Sequence, residues 1–129
     1  MAEHPNATLW RRAEEAFSRR DMDTLRTIWA DDIVYHFPGT SFLAGDHKGL
    51  DAVLAFFAKL GEMNVQIVEV HDVLASDDHV VALVRGTASR QGEELALNQA
   101  NIYHVRDGKI KEAWLLSTDQ RALDEFFSG

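Results

Sequence analysis

The chain contains no cysteine and only two prolines among its 129 residues. Without cysteine it can form no disulfide framework, no thiolate nucleophile and no cysteine-based metal site. No apolar run approaches the roughly 20 residues that a membrane-spanning helix requires. The opening segment MAEHPNATLWRR also lacks the basic and then apolar order of a signal peptide. We therefore expect a cytoplasmic protein that has no membrane partner.

Positive charge is scarce as well, because 13 basic residues stand against 21 acidic ones and the formal net charge is −8. Such a field repels the phosphates of nucleic acids, and no stripe of lysine or arginine overrides it locally. The Arg11-Arg12 and Arg19-Arg20 pairs lie in a predicted helix, interleaved with Glu14 and Glu15, and this pattern indicates a solvated helix face. Nucleic acid is therefore not an expected partner.

The length and composition, with 46% apolar and 26% charged residues, predict one globular domain over residues 1–129. Apolar residues recur at helical spacing from Leu9 to Phe17, and Asp21 is a candidate N-cap for a second short helix. The run IVYHF, 33–37, predicts a strand that the Pro38-Gly39 pair ends. A third helix follows over residues 50–60.

From Asn64 onward the pattern becomes that of long strands. Four segments, 64–75, 80–90, 95–106 and 109–117, are joined by short turns, and Asp107-Gly108 is a strong two-residue hairpin signal. Strands of this length span roughly 30–40 Å, which favours a curved sheet. Ser117 and Gln120 have capping-box spacing ahead of a closing helix. The predicted fold is α+β, with helices packed into one face of a curved, mostly antiparallel sheet.

The segment 95–106 carries polar residues on its apolar side. One alternating set begins with Leu95 and ends with Val105, yet its middle holds Gln99, Asn101 and Tyr103. Buried polar groups without partners cost about 1–3 kcal/mol each. Three of them on an inward face therefore suggest a cavity in which water or a ligand supplies the partners. The alternative is that this face is exposed to solvent or forms a wet dimer interface.

His36 is the one histidine inside the first strand, and a side chain that titrates near neutral pH suits general acid or base catalysis. The alternative is a structural histidine that is hydrogen-bonded to the backbone. We expect His47 to lie in a loop, and His104 lies on the set opposite the polar face, where it could serve a dimer contact.

Other chemistries lack sequence support. The chain has no H-E-x-x-H or H-x-H motif for a metal, no G-x-S-x-G elbow, and no glycine-rich nucleotide loop. We therefore expect no metal and no cofactor. The chain carries many aromatic side chains for its size. Most of these rings belong to the core, but some could line an apolar pocket.

Three stretches carry a resemblance that extends over essentially the whole chain: AFSRRDMDTLRTIWADDIVYHFPG, LAGDHKGLDAVLAFFAKL and YHVRDGKIKEAWLLSTDQ. In order and spacing they resemble the SnoaL-like, or nuclear-transport-factor-like, α+β cone superfamily, which includes ketosteroid isomerase, scytalone dehydratase and polyketide cyclases. The resemblance implies a cone-shaped domain whose interior is built in part by the first strand and the Gln99–Tyr103 strand.

The catalytic residues of ketosteroid isomerase do not carry over with the resemblance. Phe37 holds the place of its aspartate base, Ala13 that of its tyrosine, and Asn101 that of its aspartic acid donor. Asn101 can still donate a hydrogen bond. His36 matches a histidine that SnoaL-like proteins often present at this strand end.

We therefore hypothesise an enzyme that moves protons on a small apolar carbonyl, polyketide-like or terpenoid metabolite, as an isomerase, cyclase or dehydratase. In this hypothesis His36 is the general base or acid and Asn101 stabilises a developing oxyanion. The predicted substrate-binding residues are Gln99, Tyr103, Trp114, Trp29, Phe17 and Phe57. The protein would pair as a homodimer through its sheet. The alternatives are a non-catalytic ligand-binding or dimerisation module, or a scaffold without a ligand.

Overall fold

The computed structural model describes residues 3–128 and contains four helices and six strands within that range. The helices are α1 (Pro5–Ser18), α2 (Met22–Ile28), α3 (Leu50–Glu62) and α4 (Gln120–Phe126). The strands are β1 (Trp29–Phe37), β2 (Gly45–Lys48), β3 (Gln66–Ala75), β4 (His79–Arg90), β5 (Glu93–Arg106) and β6 (Lys109–Ser117). The α+β class predicted from the sequence is confirmed.

The six strands form one sheet in the order β2-β1-β6-β5-β4-β3. β3 to β6 form an antiparallel meander, and β2 is antiparallel to β1. β1 pairs with β6 in parallel, so the sheet is mixed, with one parallel pair among its five. This pairing brings the first strand beside the last and inserts it between the β2 edge and the meander.

Local sequence signals explain several element boundaries. Asp21 caps α2 as predicted, since its carboxylate accepts a hydrogen bond from the backbone N–H of Thr24. Asp107 and Gly108 both have positive φ, 53° and 75°, as a tight hairpin turn between β5 and β6 requires. The predicted capping box at α4 is wrong in its cap, because Asp119 and not Ser117 accepts the hydrogen bond from the first turn.

The first half of the sheet differs from the prediction in extent. β1 begins at Trp29, four residues before the predicted run, and the short strand β2 lies where a loop was expected. His47 is therefore a strand residue. Its Nε2 lies 2.8 Å from the carbonyl oxygen of Leu43, and its ring stacks on Phe56 with centroids 4.2 Å apart.

All four helices pack against the sheet: α1 against β3 and β4, α3 against β1 and β2, α2 against β1 and β6, and α4 against β5 and β6. The residues under the helices form one continuous hydrophobic core, and its most completely buried members include Leu25, Ile28, Ile33 and Ile110. We call the sheet face under the helices the inner face and the opposite one the outer face. Between residues 3 and 128, none of the helices has the length and apolar character needed to cross a membrane.

Candidate functional site

A cavity of about 100 Å³ lies between the inner face of the sheet and the helices. Its wall is mostly apolar and takes residues from α1, α2, α3, α4 and from every strand except β2. The aromatic members of the wall are Trp10, Phe17, Trp29, Tyr35, Phe37, Phe57, Tyr103 and Phe127. The polar members are Glu14, Gln66, Thr87, Gln99 and Asn101. The cavity is thus an apolar space that carries a few polar groups.

The polar set on β5 faces this cavity. Gln99, Asn101 and Tyr103 alternate on the inner face, and all three line the space. Asn101 and Tyr103 are buried, with 5% and 6% of their surface exposed. The alternation in the sequence therefore predicts the correct face for these side chains, and the alternative of a solvent-exposed face is excluded for Asn101 and Tyr103.

Besides Tyr103, three of the other four aromatic residues predicted to bind substrate also line the cavity. The Trp29 ring packs edge-on against Phe57, with centroids 5.1 Å apart, and edge-on against Tyr103 at 6.1 Å. Phe17 in turn packs edge-on against Phe57 at 5.4 Å. Interlocked edge-to-face contacts of this kind hold each ring in one orientation. These rings therefore form a continuous aromatic part of the wall.

His36 and Trp114 do not face the cavity, and the prediction that they do is wrong. β1 alternates, so the buried Ile33, Tyr35 and Phe37 point inward and His36 points to the outer face. Trp114 is the register partner of His36 on β6, and side chains at paired positions share a face. The two rings stack on that outer face, with centroids 5.3 Å apart.

His36 is held on the outer face by two carboxylates. Its Nδ1 lies 2.6 Å from Oδ1 of Asp46, and its Nε2 lies 2.6 Å from Oε2 of Glu112. Partial burial lowers the pKa of His36, but the hydrogen bonds and negative charges of Glu112 and Asp46 outweigh that effect and raise it. The His36 side chain consequently joins β2, β1 and β6, which is a structural role outside the cavity.

Sequence reasoning missed Glu14, which lies in the cavity wall. It is half-buried and is not part of a solvated face, in contrast to our expectation. Burial raises the pKa of its carboxyl, and the neighbouring charge of Glu15 raises it further. The signal was present in the helix, since Trp10, Glu14 and Phe17 recur at the i, i+4, i+7 spacing of one face.

Two tyrosines in the wall stay protonated over the ordinary pH range. Burial raises the pKa of Tyr103 to about 12, although hydrogen bonding with the side chains of Trp10 and Asn101 offsets part of that rise. Burial also raises the pKa of Tyr35, and the nearby Tyr103 adds to the shift. Both hydroxyl groups are therefore hydrogen-bond donors and not bases.

Two buried polar atoms in residues of the wall have no hydrogen-bond partner. These atoms are Nε1 of Trp29, which can only donate, and the side-chain oxygen of Asn101, which can only accept. Trp29 is 4% exposed and Asn101 is 5% exposed. Among residues 3–128, no three histidine or acidic side chains are arranged to hold a metal ion.

Comparison with known proteins agrees with this architecture. The SnoaL-like domain model matches residues 10–113, which is most of the chain. The chain belongs to the SnoaL-like family. A relative in Mycobacterium tuberculosis, uncharacterized protein Rv0034, is 32% identical over 134 residues, which cover 99% of this chain and all of that protein.

Solved structures are also similar to this chain over nearly its whole length. Bal32a, from a soil-derived mobile gene cassette, has 34% identity and a TM-score of 0.90, with 95% of this chain and 96% of that one covered. TerC, co-crystallized with polyporic acid, has a TM-score of 0.83 at 19% identity, with 96% and 98% covered. At that identity the likeness to TerC shows the fold alone.

Proposed function

We propose that this SnoaL-like protein is a cofactor-independent enzyme that moves a proton on a small apolar carbonyl compound held in the cavity. The observation that carries the proposal is Glu14. A half-buried carboxyl with a raised pKa lies in the wall of an otherwise apolar space, together with two protonated tyrosines. A carboxyl in such surroundings is a suitable general base or acid, because its pKa moves toward the operating pH.

The proposed step uses only groups in the wall. The Glu14 carboxylate takes a proton from the carbon next to the carbonyl, and the C–H electron pair forms a carbon–carbon double bond. The carbonyl π electrons move to the oxygen, where the Tyr103 hydroxyl donates a hydrogen bond to the developing charge. Glu14 then returns the proton to the same carbon or to another one.

Asn101 supports the step through Tyr103. Burial raises the pKa of the Tyr103 phenol, the Asn101 side chain offsets part of that rise, and a more acidic phenol is a stronger hydrogen-bond donor. The mostly apolar wall lowers the polarity around these groups, which strengthens each of these interactions. His36 takes no part, since it lies on the outer face.

Proton exchange at carbon provides the test. Small neutral ketones are incubated with the protein in deuterium oxide, and loss of the α-proton signal is followed by NMR. We expect Glu14→Gln to slow the exchange by about 10²–10⁴-fold, the usual contribution of a positioned acid–base group. Glu15→Gln, next in the helix but exposed, is the matched control and keeps the exchange.

The competing function is a module that only binds its ligand. In that case ligands would bind in the cavity, and the exchange rate in wild-type protein would equal that of free ketone in buffer. Binding is measured separately by calorimetry, so that the two functions give different results.

We also propose that two copies pair through the outer face of the sheet. Leu116 on β6 is 49% exposed, and it lies beside Ala100 of β5 on the side away from the cavity. His79 and His104 stack nearby on β4 and β5, with ring centroids 5.2 Å apart. An apolar strip flanked by stacked rings supports a contact between copies. A cytoplasmic location stays a prediction from the sequence.

A further inference from the structure

Two residues that line the cavity, Trp29 and Asn101, each carry a buried polar atom without a hydrogen-bond partner, and these atoms indicate which ligand the cavity takes, provided that the proposed function holds. Trp29 Nε1 carries a hydrogen and has no acceptor, and the side-chain oxygen of Asn101 has no donor. Leaving a buried polar group unpaired is unfavourable, and folded proteins do so for few groups. Neither atom is exposed in the structure, so a ligand in the cavity would pair with this donor and this acceptor after a small shift of the two side chains.

The size of the cavity limits that ligand. A volume of about 100 Å³ is smaller than the engineered apolar cavity of about 150 Å³ that binds benzene. Side chains of the wall would therefore have to move to admit even a substituted single ring. Fused multi-ring molecules do not fit without displacing core side chains such as Leu97 or Phe57, which are buried in the wall.

The charge of the cavity wall and of the chain further limits which ligand the cavity can bind. The half-buried Glu14 is the one ionisable acidic side chain among the residues of the wall, and the chain carries a net charge of −8. An anionic ligand would be repelled by both. None of the lining residues is a lysine or an arginine, so nothing in the wall would pair with a carboxylate.

We propose that the ligand is a neutral, single-ring molecule that carries one hydrogen-bond acceptor and one hydroxyl-type donor. Its acceptor, the carbonyl oxygen, takes a hydrogen bond from Trp29 Nε1 beside the one from Tyr103. Its hydroxyl group donates to the side-chain oxygen of Asn101. A carbonyl oxygen has two lone pairs, and two donors in the wall can therefore share it.

Four probes of nearly equal shape separate these contributions. 4-Hydroxyacetophenone has both groups, acetophenone has the acceptor, 4-ethylphenol has the donor, and ethylbenzene has neither. Dissociation constants are measured by calorimetry on the full chain at pH 7. We expect each polar group to tighten binding about five- to tenfold, which is the scale of one net hydrogen bond.

Two variants assign each gain to its atom. Trp29→Phe keeps an aromatic ring but removes the N–H, so the advantage of acetophenone over ethylbenzene should shrink to what the Tyr103 hydroxyl alone supplies, while 4-ethylphenol keeps its full advantage. Asn101→Leu has a similar volume and should show the opposite pattern. The ranking of the four probes on wild-type protein is itself a test, so the proposal stays falsifiable if a variant fails to fold.

The outcomes are distinct. If all four probes bind equally, or if both variants reduce every probe alike, polar recognition by these two atoms is refuted although the cavity remains a binding site. If no probe binds, ethylbenzene included, the inference and the proposed function fail together. Proton exchange that depends on Glu14 without any ranking of probes would refute the inference alone.

Discussion

Tyr35 and His36 are adjacent in β1, and their side chains lie on opposite faces of the sheet. The Tyr35 ring is 6% exposed and lines the cavity, whereas the His36 ring stacks on Trp114 outside it. A single step along a strand therefore separates a residue of the candidate site from a residue that joins the edge of the sheet.

Replacing His36 should change stability and leave the cavity intact. The folded-state pKa of His36 is raised, so its protonated form stabilises the fold fully below the unfolded pKa near 6.5, and this contribution is lost as pH rises through the folded pKa. His36→Gln should therefore lower the melting temperature most at pH 5 to 6 and least at pH 9.

Thermal melts between pH 5 and pH 9 check this prediction, with His71→Gln, an exposed histidine of β3, as the matched control. Affinity for 4-hydroxyacetophenone should stay within about twofold of wild type. A melting-temperature difference that is constant over this pH range would contradict the ion-pair assignment.

The ionised Glu14 side chain should lower the free energy of unfolding at neutral pH. Its pKa in the folded protein lies above the reference value of 4.5, so the folded state binds the proton more tightly than the unfolded state does. Stability is consequently highest below the unfolded pKa and falls as pH rises through the folded one. Glu14→Gln should melt at a higher temperature than wild type at pH 7, and the gain should vanish below about pH 4.

Glu15→Gln is the control for that comparison, because Glu15 is exposed and lies outside the cavity wall, where its carboxylate forms an i, i+4 ion pair with Arg19. Exposed pairs of this kind contribute about 0.3–0.5 kcal/mol. If Glu14→Gln proved less stable than wild type at pH 7, the carboxyl would be making a favourable contact in the folded state, against our description.

Strands β5 and β1 show how much of the candidate site the sequence predicts. Strand alternation correctly placed Gln99, Asn101 and Tyr103, because β5 is long and its apolar ends identify the inner face. The same rule applied to IVYHF would have put His36 outside, since Ile33, Tyr35 and Phe37 form its apolar set. The chemistry of His36 favours a site in the pocket, whereas its place in the alternation of β1 favours the outer face.

Strand β2, the position of Glu14 and the details of the cavity show where sequence patterns are insufficient. β2 has no apolar alternation, so only its pairing with β1 reveals it as a strand. The charged neighbours of Glu14 indicate a solvated helix face, but the i, i+4, i+7 spacing of Trp10, Glu14 and Phe17 indicates the buried one. The volume of the cavity and the unpartnered atoms depend on side-chain packing, and no local pattern predicts them.

Gly86→Ala should impair binding without impairing folding. A Cβ at Gly86 would lie 3.0 Å from Nε2 of Gln99, and the flexible end of that side chain can move away. Gly-to-Ala substitutions at sites without backbone strain stabilise by about 0.4–1 kcal/mol. We expect an unchanged or slightly higher melting temperature, and affinity for 4-hydroxyacetophenone reduced about three- to tenfold because a methyl group enters the wall.

Calorimetry and thermal melts on the same preparation check both parts. Unaltered affinity in Gly86→Ala would mean that neither Gly86 nor Gln99 borders the space that the ligand occupies.

Leu116→Glu should separate paired copies. A charge placed in an apolar contact loses hydration without gaining a partner, which is unfavourable by several kcal/mol when it is fully buried. Sedimentation equilibrium should give twice the chain mass for wild type and a single chain mass for Leu116→Glu. Ser18→Glu, at an exposed position of α1, is the control and should leave the mass unchanged. A monomeric wild type would refute pairing through this face.

The most direct test of the account is the pH dependence of deuterium exchange into the methyl group of 4-hydroxyacetophenone, measured by NMR. In wild-type protein the rate should rise with pH through a midpoint above that of an ordinary glutamic acid. Glu15→Gln should move the midpoint to lower pH, because a neighbouring negative charge is gone. Glu14→Gln should reduce the rate at least about 100-fold and remove the midpoint. Exchange in Glu14→Gln at the wild-type rate, with the same pH profile, would contradict the assignment of Glu14 as the proton carrier of the cavity.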